Sequence, residues 1–194
     1  METCEVEFLA ERELISITPN FDLGVLHLIS GDFGPFKAGL PAEVPLWLAI
    51  NLRQRRKCRI MPPEWLNVKT LELIKERETQ EKLFTKMPSE HFMEVAQLIL
   101  SAASDDVPKA GELRVILKDI WDTRHAKSRA SCSLLLQEGG KHARVDNLTL
   151  MEINSVRPLL PHSMDMIRRL QQLSNSLDTQ TSQTQGSSFA SPSQ

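Results

Sequence analysis

The feature that most constrains this chain is a change of period at a proline pair. Before Pro62-Pro63 the apolar residues come in short, turn-bounded runs. After it they recur at helical spacing. "ELISITP" and "GVLHLIS" are rich in Ile and Leu and are bounded by Pro, Asn, Asp and Gly, which are strand signals. "PNFDLG" supplies the turn between them, and "GDFGPFKAGLP" reads as a loop. A short helix follows from Pro45 to Arg56. Its first turn holds the proline, and Leu46, Trp47, Ile50 and Leu52 cover its buried side.

Past the proline pair, "NVKTLELIKERETQEK" predicts a helix capped by Asn67, with Val68, Leu71 and Ile74 on one face. Its charged end reads as solvated. "PSEHFMEVAQLILSAA" predicts a helix capped by Ser89. Phe92, Val95, Ala96, Ile99 and Ala103 form its stripe, and Met93, Leu98 and Leu100 widen it. Asp105 and Asp106 are placed to cap a third helix, with Pro108 in its first turn, running to Gln137. Its stripe is Leu113, Ile116, Leu117, Ile120 and Trp121. It fades into Arg124, His125, Lys127 and Arg129, and Gly139-Gly140 end it. "DNLTLMEIN" reads as a short capped helix. A last helix carries Met166, Leu170, Leu173 and Leu177 in a narrow seam for a neighbouring helix.

The expected class is α+β, mainly α. A small β-rich domain with a short helix spans 1–61, a larger helical domain 62–175, and a disordered Ser/Thr/Gln-rich tail 176–194. A chain of 194 residues is long enough for such a core. The helices present more apolar surface than one small chain can hide, which implies partner polypeptides.

Several function classes are disfavoured. The formal charge of -2 argues against a whole-protein nucleic-acid binder. The three cysteines, Cys4, Cys58 and Cys132, form no CxxC pair and no disulfide framework. The five histidines lack ligand spacing, so neither a metal nor a cofactor is expected. The acidic N-terminus does not resemble a signal peptide, and no apolar run has the length of a membrane span. A soluble intracellular protein is expected. No phosphate loop, nucleophile elbow or zinc-protease motif is present. Basic neighbours of Cys58 would lower its thiol pKa, but a structural thiol is the expected role.

The densest signal is "RQRRKCR", where Arg53, Arg55, Arg56, Lys57 and Arg59 lie between Trp47 and Trp65. It is open to several readings: a nuclear address, a phosphate-binding patch, a solvated helix end favoured by the helix dipole, or an interface. The stiff "IMPPEWL" that follows favours an inter-domain joint whose cations meet carboxylates. The tryptophans, Trp121 included, read as core or as interface anchors.

Several separated blocks carry a resemblance: "VEFLAE", "ISITPNF", "GPFKAGLPAEVPLWLAINLRQRRKCRIMPPEWL", "FTKMP", "DDVPKAGELRVILKDIWDTRHAK" and "DNLTLMEIN". In this order they resemble the Psf-two subunit family of the eukaryotic GINS complex, over residues 1 to 173. The resemblance implies a small β-rich domain followed by a helical one, within a non-catalytic subunit of a nuclear heterotetramer. It further implies partnership with the other three GINS subunits, the MCM motor ring and a RecJ-like accessory protein in the CMG replicative helicase. Initiation of DNA replication and fork progression would depend on it. Contact with DNA would be indirect or weak; the alternative is a nucleic-acid-binding module acting through 53–59. On this resemblance Trp47, Arg53, Arg55, Arg56, Lys57, Trp65, Trp121, Arg124, Asp146 and Asn147 fall at the domain junction or at subunit contacts. The seam residues Leu170 and Leu173 join them from the periodicity.

Overall fold

A computed structural model describes residues 2–137, 146–158 and, between 161 and 173, all but 163, 167 and 171. The tail at 176–194, Leu177 and Gly139-Gly140 lie outside the described residues. The chain is a small sheet region followed by a helical bundle, as the change of period requires.

A helix, α1 (Thr3–Ala10), opens the chain. Its mixed acidic composition does not announce it, but Glu2 and Glu5 close its start as a capping box. Val6 and Ala10 are fully buried. Next come β1 (Leu14–Pro19), β2 (Leu26–Leu28), β3 (Gly31–Phe33) and β4 (Ala42–Pro45), then α2 (Leu46–Gln54) and β5 (Cys58–Ile60). The main sheet is antiparallel with order β4-β1-β5. In central β1, Ile15 and Ile17 point into the core and Ser16 and Thr18 away from it. Ile15 faces Val44, and Ile17 faces Ile60. That alternation fixes the register, because a one-residue slip would turn both isoleucines outward.

Three local expectations change. The "GDFGPFKAGLP" loop contains β3, which pairs with β2 as a hairpin. Pro45 is extended (φ -60°, ψ 147°) and ends β4, so the helix starts at Leu46. The helix stops at Gln54 because Arg56 enters the left-handed region (φ 56°), after which Lys57 N–H reaches back to Leu52 O at 2.9 Å. The end of the basic run is therefore a strand. Leu46, Leu48 and Ala49 are the buried residues of α2; Trp47, Ile50 and Leu52 pack half-buried beside them.

The bundle consists of α3 (Val68–Gln80), α4 (Phe92–Ala102), α5 (Ala110–Gln137) and α6 (Leu150–Val156). Helical residues recur among those described between 161 and 173. One apolar core runs from the sheet into the bundle: Ile15, Ile17, Val44 and Leu46 are continuous with Leu66, Leu71, Phe92, Ile99, Leu113 and Ile120. Trp65 bridges the two parts, its ring 5.0 Å from that of Phe92. Asn67 does occupy the cap of α3, though without a side-chain bond. At α4 the cap is His91, whose N–H donates to Ser89 Oγ at 3.0 Å.

Asp105 and Asp106 do not cap α5, which begins only at Ala110. Asp106 instead ties bundle to sheet. Its carboxylate accepts the Ile60 N–H at 3.2 Å, on the edge of β5 that faces away from β1. It also lies 2.7 Å from Arg53 Nε, pairing the charges although the N–H does not point at the oxygen. The Asp106→Ala variant should lose about 1–3 kcal/mol, since a strand N–H and a guanidinium lose their acceptor. Urea unfolding checks this, as a lower midpoint at unchanged slope.

Candidate functional site

Two of the bundle stripes carry a charged residue where the period calls for an apolar one. On α5 the stripe Leu113, Leu117, Ile120 continues to Arg124, and on α3 the stripe Leu71, Ile74 continues to Glu78. Both side chains are buried: Arg124 is 2% exposed and Glu78 0%. The charged end of α3 is thus not wholly solvated. Facing stripes bring Glu78 to Arg124, and their Nη1–Oε2 distance is 3.0 Å.

Arg124 is saturated. Nε donates to Glu152 Oε1 at 2.6 Å and Nη2 to Glu152 Oε2 at 2.8 Å, a two-pronged grip on α6. Nη2 also donates to Asn147 O at 2.8 Å, and Nη1 to Thr85 O at 3.1 Å. With Glu78, all five N–H groups of the guanidinium are occupied. Lys127 adds a second cation, 2.7 Å from Glu78 Oε1, so two positive charges meet two negative ones. The Phe84 ring lies 5.2 Å from the guanidinium carbon.

The surrounding backbone is shaped for this hub. Asn147 adopts φ 61°, a conformation asparagine tolerates, which turns its carbonyl toward Arg124 while its Nδ2 donates to Phe84 O at 3.1 Å. Glu152 also accepts the Thr149 N–H at 2.8 Å, so the capping box of α6 and the ion pair share one carboxylate. Thr85 donates to Glu78 from both its N–H, at 3.1 Å, and its hydroxyl. Burial alone would raise the Glu78 pKa. Hydrogen bonds from Lys127 and Thr85, and the charge of Arg124, outweigh that and hold it below the usual carboxylate range. Arg124 is likewise desolvated, yet Glu152 and Glu78 hold its pKa above its ordinary value. A guanidinium with every donor taken cannot bind a substrate; it locks α3, α5 and α6 together.

The remaining expected residues do not converge. Trp47 packs against the core near the start of α2. Trp65 lies at the sheet–bundle joint, and Trp121 stacks edge-on to His125 at 4.4 Å. Among the described residues, only Arg53 of the basic run meets carboxylates, those of Asp106 and, at 3.9 Å, Asp105. Arg55, Arg56 and Lys57 are exposed and form no ion pair among the described residues. Cys58 is buried, and burial pushes its thiol up to about 11 despite Arg53, so it is no reactive nucleophile. Asp146 is exposed. Met166, Leu170 and Leu173 are 51%, 59% and 61% exposed, so the seam has no occupant within the described chain.

Both parts match models of one protein class. Residues 2–61 match the "PSF2 N-terminal domain" and residues 65–171 the "GINS complex protein helical bundle domain". At the level of whole chains, the human "DNA replication complex GINS protein PSF2" is 50% identical over 183 residues, which cover 94% of this chain and 99% of its own. The Drosophila melanogaster "Probable DNA replication complex GINS protein PSF2" is 50% identical over 193 residues, covering 100% and 95%. The Xenopus laevis "DNA replication complex GINS protein PSF2" is 51% identical over 170 residues, covering 88% and 92%. The chain belongs to the PSF2 family of GINS complex proteins.

Replacing Arg124 by Ala should cost about 3–5 kcal/mol, because two buried carboxylates lose their main cation. Lys at this position should recover only part of that, lacking the two-pronged fork. Because the Glu78 pKa is depressed on folding, its contribution is present above the unfolded carboxylate pKa and is lost as pH falls through the folded value. Acid unfolding of the Glu78→Gln variant should therefore be flatter with pH than that of the wild type. Equal slopes would show that Glu78 carries none of the acid sensitivity.

Proposed function

We propose that the chain is a non-catalytic subunit of a heterotetrameric GINS complex, assembled with the other three GINS subunits in the nucleus. In this reading it joins the MCM motor ring and a RecJ-like accessory protein in the CMG helicase, and supports initiation of DNA replication and fork progression. The relatives' names, which speak of a DNA replication complex, support the replication role. The observation that carries the assembly role is the exposed seam. Met166, Leu170 and Leu173 recur at helical spacing on a chain whose relatives are named as members of a complex. A helix with such a stripe buries it against another polypeptide.

Residues 1–61 and 62–175 serve in this proposal as the two structural units, with Trp47, Arg53 and Trp65 at their joint. Arg55, Arg56 and Lys57 form the outer rim of that joint, available to a neighbouring subunit. A second reading has one observation in its favour: Arg55, Arg56, Lys57 and Arg59 are exposed cations without ion-pair partners among the described residues. They could meet phosphates. Yet no aromatic ring for stacking is exposed within the run, and four cations release few counterions.

Co-expression with three candidate GINS subunits, followed by native mass measurement, should yield a 1:1:1:1 assembly. The Leu170→Asp/Leu173→Asp double variant should drop out of it while keeping its own helical content. Retention of the double variant at wild-type yield would remove the seam from the interface. Replacing Arg55 and Arg56 with Ala should leave the salt dependence of DNA binding by the assembly unchanged; a flattened slope would instead establish the second reading.

A further inference from the structure

Glu94 is the most anomalous side chain in the fold. It sits in the first turn of α4, 4% exposed, and among the described residues neither carboxylate oxygen has a hydrogen-bond partner on another residue. An ionised carboxylate in that position is strongly disfavoured by its loss of water. Among the described residues, no arginine or lysine pairs with it. Arg124 has all five donors engaged elsewhere, and Lys127 is held by Glu78 and Leu83 O. Arg53, at the end of the neighbouring α2, is paired with Asp106.

The groups acting on Glu94 come from three elements. His91 lies one turn earlier, at the cap of the same helix, with Nδ1 buried and without a partner among the described residues. Glu13, just after α1, and Glu152, on α6, both oppose its negative charge. The same elements meet here by direct contact. Ser89, at the approach to α4, donates its hydroxyl to Glu13. Leu150 N–H, opening α6, donates to Glu90 O at 3.3 Å. Val6 and Ala10 of α1 are fully buried in the packing.

We propose that the Glu94 carboxyl is a proton-operated clasp: uncharged, it lets α1 and α6 close on α4; charged, it drives this seam apart. Desolvation is the main cause favouring the neutral acid, reinforced by Glu13 and Glu152 and opposed by its own backbone N–H and by His91. The sign follows. A carboxyl raised on folding stabilises below its unfolded pKa, and that contribution is lost as pH rises through the folded value.

The test is hydrogen exchange on the full chain in its assembled complex, followed from about pH 5 to about pH 9 and corrected for intrinsic rates. In the wild type, protection of α1 and α6 amides should fall by up to about tenfold per pH unit above the Glu94 titration, while β1 amides hold. Glu94→Gln should abolish that fall. Glu13→Gln, which removes an opposing charge, should move its midpoint to lower pH. Infrared difference spectra should show a protonated-carboxyl band in the wild type that Glu94→Gln removes. Identical pH profiles in wild type and Glu94→Gln would overturn the proposal. Should the Glu94→Gln variant fail to assemble, a Glu13→Gln midpoint that does not move would overturn it equally.

Discussion

The helical half of this molecule depends on one desolvated guanidinium. Arg124 is removed from water and compensated at all five of its donors by α3, the 83–85 segment, the turn at Asn147 and α6. Apolar side chains of similar volume replacing Arg124, Glu78 and Glu152 together would give comparable stability, because the desolvation of buried ions offsets much of their attraction. What the charge adds is geometry. In this arrangement Glu78, Glu152, Asn147 and Thr85 satisfy every N–H, and a packing that displaced any of them would leave a buried donor unmatched. The hub selects a structure more than it strengthens one.

A second polar tie, Asp106, performs the corresponding service at the joint between sheet and bundle. It protects the outer edge of β5, which would otherwise present a bare N–H for pairing with another chain. The core beneath is continuous, so the joint is rigid through packing as well as through its prolines.

Much of this is legible in the sequence, and the failures have physical causes. Residues with a strong period are placed well: β1, α3, α4 and the first half of α5 follow the apolar spacing. Short elements held by long-range pairing are not; β3, β4 and β5 exist because β1 and β2 are there to pair with them. The helix α1 is hidden for a related reason, since only its two buried residues face the bundle. For the hub, Arg124 and Glu78 each stand at the next expected position of an apolar stripe. A charge at such a position is a sign of a buried partner with the opposite sign on a facing helix. Reading the charged end of α3 as solvated overlooks that. Asp106 has a plausible local role as a helix cap, and nothing nearby in sequence reveals that its partners lie 46 and 53 positions earlier, at Ile60 and Arg53. Glu94 leaves no signal, because an absent partner cannot be read from composition.

The order in which the hub's members leave the ribosome matters. Glu78 and the Thr85 carbonyl emerge first, then Arg124, and the second carboxylate only when synthesis has passed Glu152. Until then the guanidinium has only its Nη1 partners, Glu78 and Thr85, and its Nε and Nη2 donors are left to water. The hub of this protein is therefore completed late during translation, and a nascent chain arrested between α5 and α6 would lack three of the five hydrogen bonds that hold Arg124 in the finished molecule.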